Sequence, residues 1–318
     1  MSVVPVVDLS RPIGEVAASI DQACREVGFW QVVGHGLDPE LEHEAWDAAR
    51  DFFALDLDTK LLSAIPPGAA YGFTPLAGER LAASLGEETP PDLKETFSSG
   101  PADIPDEIAD DPAAAFVYST TPWPAALPSM RATWQPYYEE LAGLAARIMS
   151  AMAVALALPD DHFAGSIEHH TSALRALHYP DLGGRAPSPG QLRAGAHTDY
   201  GTLTLLRQDD APGGLEVLGM DGTWHAVPPV EGAYVVNVAD ALARWTNDRW
   251  RSTLHRVVTP PVDAGRDCTR RSMAFFHNAD WDAVIECLPT CVGAGERPRY
   301  APIRAGRHLM DKFRTTQG

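Results

Sequence analysis

The chain has 318 residues, about twice the usual single-domain size but within reach of one large domain with additions. Its composition, 45% hydrophobic and 21% charged, excludes a disordered or fibrous chain. Forty-three acidic against 25 basic residues give a formal net charge of −18, which on average repels a nucleic-acid backbone or an anionic membrane and leaves small ligands open.

The first twelve residues have no basic start followed by a long apolar run, so no secretory leader is expected and the chain reads as cytoplasmic. Pro5–Leu9 is a strand signal. Val16, Ala17, Ile20, Ala23, Cys24 and Val27 fall at helical spacing and predict a helix over Ile13–Val27, ended by Gly28. Phe29–Val33 is a β-rich run closing in the turn Gly34-His35-Gly36. Asp38 as N-cap with Pro39 at the first helical position predicts a helix through Phe53. Residues 63–125 are rich in Pro, Gly and Ala, with weak periodicity, and are expected to be loops wrapped over the rest.

A long helix is predicted over Pro128–Leu158, with Trp134, Tyr138, Leu141, Leu144, Ile148, Met149 and Met152 on one face. Pro136 either kinks it or marks its start. The apolar run Ala151–Leu158 stops at Pro159, far short of the ~18 residues of a membrane span. Beyond Ser172 the period becomes two. Strands are expected over Ala173–Tyr179, Gln191–His197, Thr202–Leu206, Leu215–Val217, Ala233–Val238, Thr253–Thr259 and Thr269–Phe276, with a hairpin turn at Asp221-Gly222. Cys287 and Cys291 lack the second pair that a zinc site needs and read as buried thiols, and four cysteines do not make a disulfide scaffold. Ile303–Thr316 is expected to be a final helix. The fold class is α+β with a mainly β core: an antiparallel double-sheet barrel with helices packed on one face. The division is an N-terminal region over 1–125 covering the barrel, and a long helix plus barrel over 126–318, together one catalytic unit.

Among eleven histidines, His197 stands out because His197-Thr-Asp199 puts an imidazole and a carboxylate on one side of a short extended segment. Alone that spacing is also met by chance. His255, on a separate predicted strand that a double-sheet barrel can return beside the first, completes two imidazoles and one carboxylate, the facial set of non-haem Fe(II) oxygenases. Zinc hydrolysis could use the same ligands, but no positioned Glu base of the His-Glu-x-x-His kind is present. On the next strand Arg270 and Ser272 share a face with Ala274 and Phe276. An inward Arg needs an anion, either a structural carboxylate or the carboxylate of a dicarboxylic cosubstrate that Ser272 would also bind. His35 reads as a turn cap. His169, His170 and His178 are open as pocket residues, as are Phe276, Leu206 and the Tyr71 loop.

His197-Thr-Asp-Tyr-Gly201 followed by Thr-Leu-Thr-Leu-Leu206, Trp245-Thr-Asn247, His255-Arg-Val-Val258 and Arg270-x-Ser272 resembles the isopenicillin N synthase-like family of Fe(II)/2-oxoglutarate-dependent oxygenases. Pro5–Leu9, Gly28–Gly36, Phe52-Phe53, Tyr71-Gly72 and Lys94-Glu95 resemble its N-terminal region, so the likeness spans nearly the whole chain. It implies a jelly-roll core (a double-stranded β-helix) flanked by N- and C-terminal helices, iron held by His197, Asp199 and His255, and 2-oxoglutarate anchored by Arg270 and Ser272. Tyr179, in Leu177-His-Tyr-Pro180, matches a tyrosine that in this family touches the cosubstrate or substrate carboxylate. Leu177 stands where many plant members have Asn, and Ala239 where a glycine is usual.

The activity implied is oxidation of a small molecule by O2, with release of succinate and CO2, in specialised metabolism. Hydroxylation comes ahead of desaturation or cyclisation, and a monomer is expected. Three alternatives stay open: an isopenicillin N synthase-type oxidase without 2-oxoglutarate, in which Gln317 would be an added iron ligand; conversion of 2-oxoglutarate itself to ethylene; and a non-catalytic ligand-binding jelly roll.

Overall fold

A computed structural model of the chain describes residues 3–102, 111–183, 185–261 and 267–316. Strand β1 (Val6–Asp8), helix α1 (Ile13–Glu26), β2 (Phe29–Val33) and α2 (Pro39–Ala54) follow the sequence signals closely. Asp38 caps α2 by accepting the Glu40 N–H, and Gly28 turns the chain with a φ of +71° that a Cβ would strain. After the short α3 (Leu57–Leu61) come β3 (Gly72–Thr74), β4 (Glu95–Ser99) and α4 (Ala114–Val117). The expectation that 63–125 is all loop is therefore corrected: β3 and β4 pair with each other, and β4 extends the sheet onto β5 (Ala173–Tyr179). Such short strands carry no readable period and are fixed by pairing with distant partners.

Helix α5 (Pro128–Ala155) begins at Pro128 and runs through Pro136, so Pro136 lies inside it and does not mark its start. The remaining strands are β6 (Ala194–His197), β7 (Leu203–Gln208), β8 (Leu215–Leu218), β9 (Trp224–Ala226), β10 (Tyr234–Val238), β11 (His255–Val257), β12 (Arg270–His277), β13 (Val284–Ile285) and β14 (Ile303–Arg304). Between them lies α6 (Asp240–Trp245), and α7 (Ala305–Thr316) ends the described chain. Two predicted strands are shorter than expected: β6 starts only at Ala194, after the Gly190 turn, and β11 stops before Pro260-Pro261. The last helix starts at Ala305, because Ile303-Arg304 pair with β13. Gly184, residues 263–265 and Gln317 lie outside the described residues.

The strands form an eight-stranded sheet, β1-β2-β10-β7-β12-β5-β4-β3, opposed by a four-stranded sheet, β6-β11-β8-β9, as a double-sheet barrel requires. Pairing is antiparallel except for β1 on β2. Helices α1, α2 and α5 cover the outer face of the large sheet, where Ile20, Phe52, Trp134, Leu141 and Ile148 meet Trp30, Phe97, Leu205 and Phe275 in one core. Truncating a side chain such as Trp134 there costs about 3–5 kcal/mol. Strand parity then sorts β12: Met273 and Phe275 join the helix-side core, while Arg270, Ser272, Ala274 and Phe276 point between the sheets. No helix among the described residues is long and apolar enough to cross a membrane.

Candidate active site

Between the sheets lies a cavity of about 260 Å³, near the lower end of small-molecule pockets. His197 ends β6 and His255 opens β11, and the antiparallel register sets them directly opposite each other, with ring centroids 4.3 Å apart. Asp199, two residues beyond β6, brings its Oδ1 to 3.9 Å from His197 Nε2 and 3.7 Å from His255 Nε2. One ligand atom from each of the three lies within 4.8 Å of the others, the only such group of three or more among the described residues.

The polar atoms behind these ligand atoms are already bound. His197 Nδ1 donates to the Gly195 carbonyl at 2.7 Å and His255 Nδ1 to the Thr253 carbonyl at 3.2 Å, which assigns the proton to Nδ1 and leaves each Nε2 lone pair facing the centre. Asp199 Oδ2 accepts from Thr204 Oγ1 at 2.6 Å and Asn237 Nδ2 at 2.8 Å, so Oδ1 is left for the centre. Burial holds the His197 imidazole down at about 3, helped by His255, so it is neutral at physiological pH. Burial alone would raise Asp199, but the two imidazoles and the Thr204 and Asn237 hydrogen bonds outweigh it and keep the carboxyl below its ordinary value. Two imidazoles that turn Nε2 to the centre and one carboxylate suit a divalent iron, and with only three protein ligands they leave coordination positions open.

At the other end of the cavity Arg270 is 1% exposed. Its Nη2 donates to Gln208 Oε1 at 2.8 Å and its Nη1 to Ser272 Oγ at 3.3 Å, and it stands 5.0 Å over the Tyr179 ring. Among the described residues no carboxylate pairs with it, so the structural ion pair left open by the sequence is absent. A buried guanidinium with only neutral partners is a site for an anion. Arg193, held by the Pro212 and Cys268 carbonyls, lies on the same tyrosine at 5.8 Å and adds positive potential.

Six predicted site residues, His197, Asp199, His255, Arg270, Ser272 and Tyr179, thus line one cavity. Tyr71, Leu206 and Phe276 line it too, whereas His169, His170 and His178 do not; His178 pairs with Glu95 at 2.8 Å on the helix side. Cys287 is buried and Cys291 half-buried, both as free thiols. Four supporting residues carry no assigned role in the sequence: Thr204, Asn237, Gln208 and Gly195. Parity was the available signal, since Thr204 and Gln208 alternate with Leu205 and Arg207, and Asn237 interrupts an otherwise apolar strand.

The pattern of the 2OG-Fe(II) oxygenase superfamily matches residues 170–279, and that of the non-haem dioxygenase in morphine synthesis N-terminal region matches residues 4–126. The chain is 33% identical to the 2-oxoglutarate-Fe(II) type oxidoreductase hxnY of Emericella nidulans, over 99% of this chain and 90% of that protein. A 2OG-Fe(II) oxygenase family protein from Caulobacter crescentus superposes with a TM-score of 0.85 at 33% identity, covering 99% of each chain. A full-length Neurospora crassa protein in complex with alpha-KG and thymine superposes at 0.84, with 29% identity, over 98% of this chain and 96% of that one.

Proposed function

The chain belongs to the 2OG-Fe(II) oxygenase superfamily, in its isopenicillin N synthase-like branch, and on that premise we propose what each of its cavity residues does. It is a non-haem Fe(II)/2-oxoglutarate-dependent oxygenase acting on a small molecule. His197, Asp199 and His255 are its iron ligands. Arg270 takes the distal carboxylate of 2-oxoglutarate bidentately, with Ser272 donating from the same face and Tyr179 fixing the guanidinium plane. When bound, iron and 2-oxoglutarate together activate O2, with decarboxylation of the cosubstrate to succinate and CO2 and oxidation of the substrate.

The protein's share is placement. Gly195 and Thr253 fix the imidazole tautomers, and Thr204 and Asn237 aim one Asp199 oxygen at the metal. The Arg270–Ser272 pair, on β12 in the sheet facing the triad, would hold the far end of the cosubstrate. The substrate occupies the remaining chamber beside Tyr71, Phe116, Phe276, Leu309 and Phe313, whose apolar walls exclude water from the oxidation. Hydroxylation is the assigned outcome, in specialised metabolism, by a cytoplasmic monomer in which residues 1–125 and 126–318 act as one catalytic unit.

The observation that carries this reading is the pairing, in one cavity, of a complete three-ligand set with a buried Arg270 that meets no carboxylate among the described residues. The test is release of succinate by the iron-loaded enzyme across a metabolite panel. Substrate-dependent succinate is expected. Consumption of O2 with substrate but without succinate would mean an isopenicillin N synthase-type oxidase, and absence of iron uptake would mean a binding protein.

A further inference from the structure

Two residues before His197 stands a glycine inside β6. A Cβ at Gly195 would lie 3.0 Å from both the backbone N and the Cβ of Ala82, so a side chain there would push the covering segment outward. Yet it is the Gly195 carbonyl that holds His197 Nδ1 at 2.7 Å. A glycine at this point leaves φ and ψ freer than at any other residue type, so the carbonyl needs an external anchor.

That anchor comes from residues 79–94 of the covering segment. Asp92 is 2% exposed, and its Oδ1 accepts the Gly195 N–H at 2.9 Å. Its Oδ2 accepts from Lys94 Nζ at 2.7 Å and from the Leu81 N–H at 3.1 Å, while its own N–H donates to the Glu79 carbonyl at 2.9 Å. Lys94 Nζ also stands 3.2 Å from Glu79 Oε2, and Arg175 Nη1 3.2 Å from Glu79 Oε1. Each Asp92 oxygen is thereby committed, and the carboxylate cannot rotate without breaking a buried charge pair.

We propose that Asp92 is a positioning residue for the iron ligand His197: it clamps the N–H of Gly195 so that the Gly195 carbonyl stays aimed at His197 Nδ1. This rests on the assignment of His197 as an iron ligand. A neighbouring cluster provides the control. Glu95, one residue after Lys94, pairs with Lys60 and His178 at 2.8 Å each on the opposite face of the sheet, away from Gly195.

The experiment is an anaerobic Fe(II) titration of the full chain with 2-oxoglutarate present, followed by the visible absorption of the complex, together with thermal melts. Asp92→Ala is expected to weaken Fe(II) binding about tenfold, the lower end for outer partners of metal-bound histidine, and to move the absorption band. Asp92→Asn keeps one acceptor oxygen, which Lys94 Nζ and the Leu81 N–H together claim, so its amide donor meets the Gly195 N–H, and it is expected to weaken binding more than twofold. Glu95→Gln is expected to lower the melting temperature and leave Fe(II) affinity within twofold of wild type. Folded Asp92→Ala with wild-type affinity overturns the inference, as does an equal affinity loss in Glu95→Gln. If Asp92→Ala does not fold, Asp92→Asn decides, and affinity within twofold of wild type overturns the inference. His197→Ala separates the two levels: iron uptake equal to wild type would sink the ligand assignment itself, whereas loss there with no loss in either Asp92 variant would sink only the role of Asp92.

Discussion

Arg270 and Lys94 both bury a full positive charge beside the same cavity, Lys94 in the covering segment just before β4 and Arg270 at the start of β12, the two strands that flank β5. On the covering wall Lys94 is paired with Asp92 at 2.7 Å and Glu79 at 3.2 Å, and Glu79 also pairs with Arg175. Those two carboxylates overcome the burial that disfavours the ammonium and raise Lys94 above its ordinary value. Glu79 settles at about 2, since Arg175 and Lys94 outweigh the burial that would raise it. On the strand side Arg270 has only neutral partners among the described residues, and in the facing sheet His197, Asp199 and His255 turn unshared lone pairs to one point. The covering wall has neutralised its own charge and holds shape. The strand wall is electrostatically incomplete and is completed by ligands.

The largest effect expected on that contrast is at the triad, where His197→Ala and Asp199→Ala each abolish iron uptake and succinate formation. Next come the two cations, with opposite signatures. Lys94→Met leaves the buried Asp92 without its cation and Glu79 with Arg175 alone, and is expected to lower stability by about 3–5 kcal/mol in denaturant melts, since breaking a buried pair costs that much. Arg270→Met removes a charge that the apo protein leaves without an acid, so apo stability is expected to hold or rise. Its KM for 2-oxoglutarate should increase at least about thirtyfold, the cost of losing one side of a buried charge contact. Equal stability losses in both variants would erase the distinction between the walls.

Acid separates the same regions. Burial holds His277 at about 3 and His170 at about 4, both on the helix side of the strand wall. They are neutral in the folded protein but take up protons below about pH 6.5 once unfolded, so the unfolded state binds more protons and stability falls as pH drops. The expected loss is about 1–2 kcal/mol per imidazole between pH 6.5 and 5, and His277→Gln should flatten that part of the curve. Glu79, held low in the folded state, contributes its stability above its ordinary value and loses it only as pH falls below about 4.5 toward 2. The smallest effect is Tyr179→Phe, which keeps the ring under the guanidinium and removes only the hydroxyl, and should raise the KM for 2-oxoglutarate by no more than about fivefold, the worth of one hydrogen bond.

The two walls also differ in how far the amino-acid sequence discloses them. His197-Thr-Asp199 and Arg270-x-Ser272 are legible because a strand's period of two dictates which side chains share a face, and β6 and β12 keep that period. His255 is legible as a ligand only through the fold, since its place opposite His197 depends on the β6–β11 register. Thr204 and Asn237 follow from the same parity once Asp199 is placed. Asp92 and Gly195 do not, because their contact spans about a hundred residues and joins a weakly periodic segment to a glycine. The short β3 and β4 were unreadable for the same reason: three or five residues whose conformation is set by partners far along the chain. The inserted α6, six residues with no side-chain cap, gave no start signal either.

The most direct measurement is the visible absorption that develops when Fe(II) is added anaerobically to wild-type protein with 2-oxoglutarate, compared with His255→Ala. A band saturating at one iron per chain in wild type and missing from His255→Ala is the predicted result. No band in wild type, or the same band at the same affinity in His255→Ala, would contradict a metal centre built from His197, Asp199 and His255.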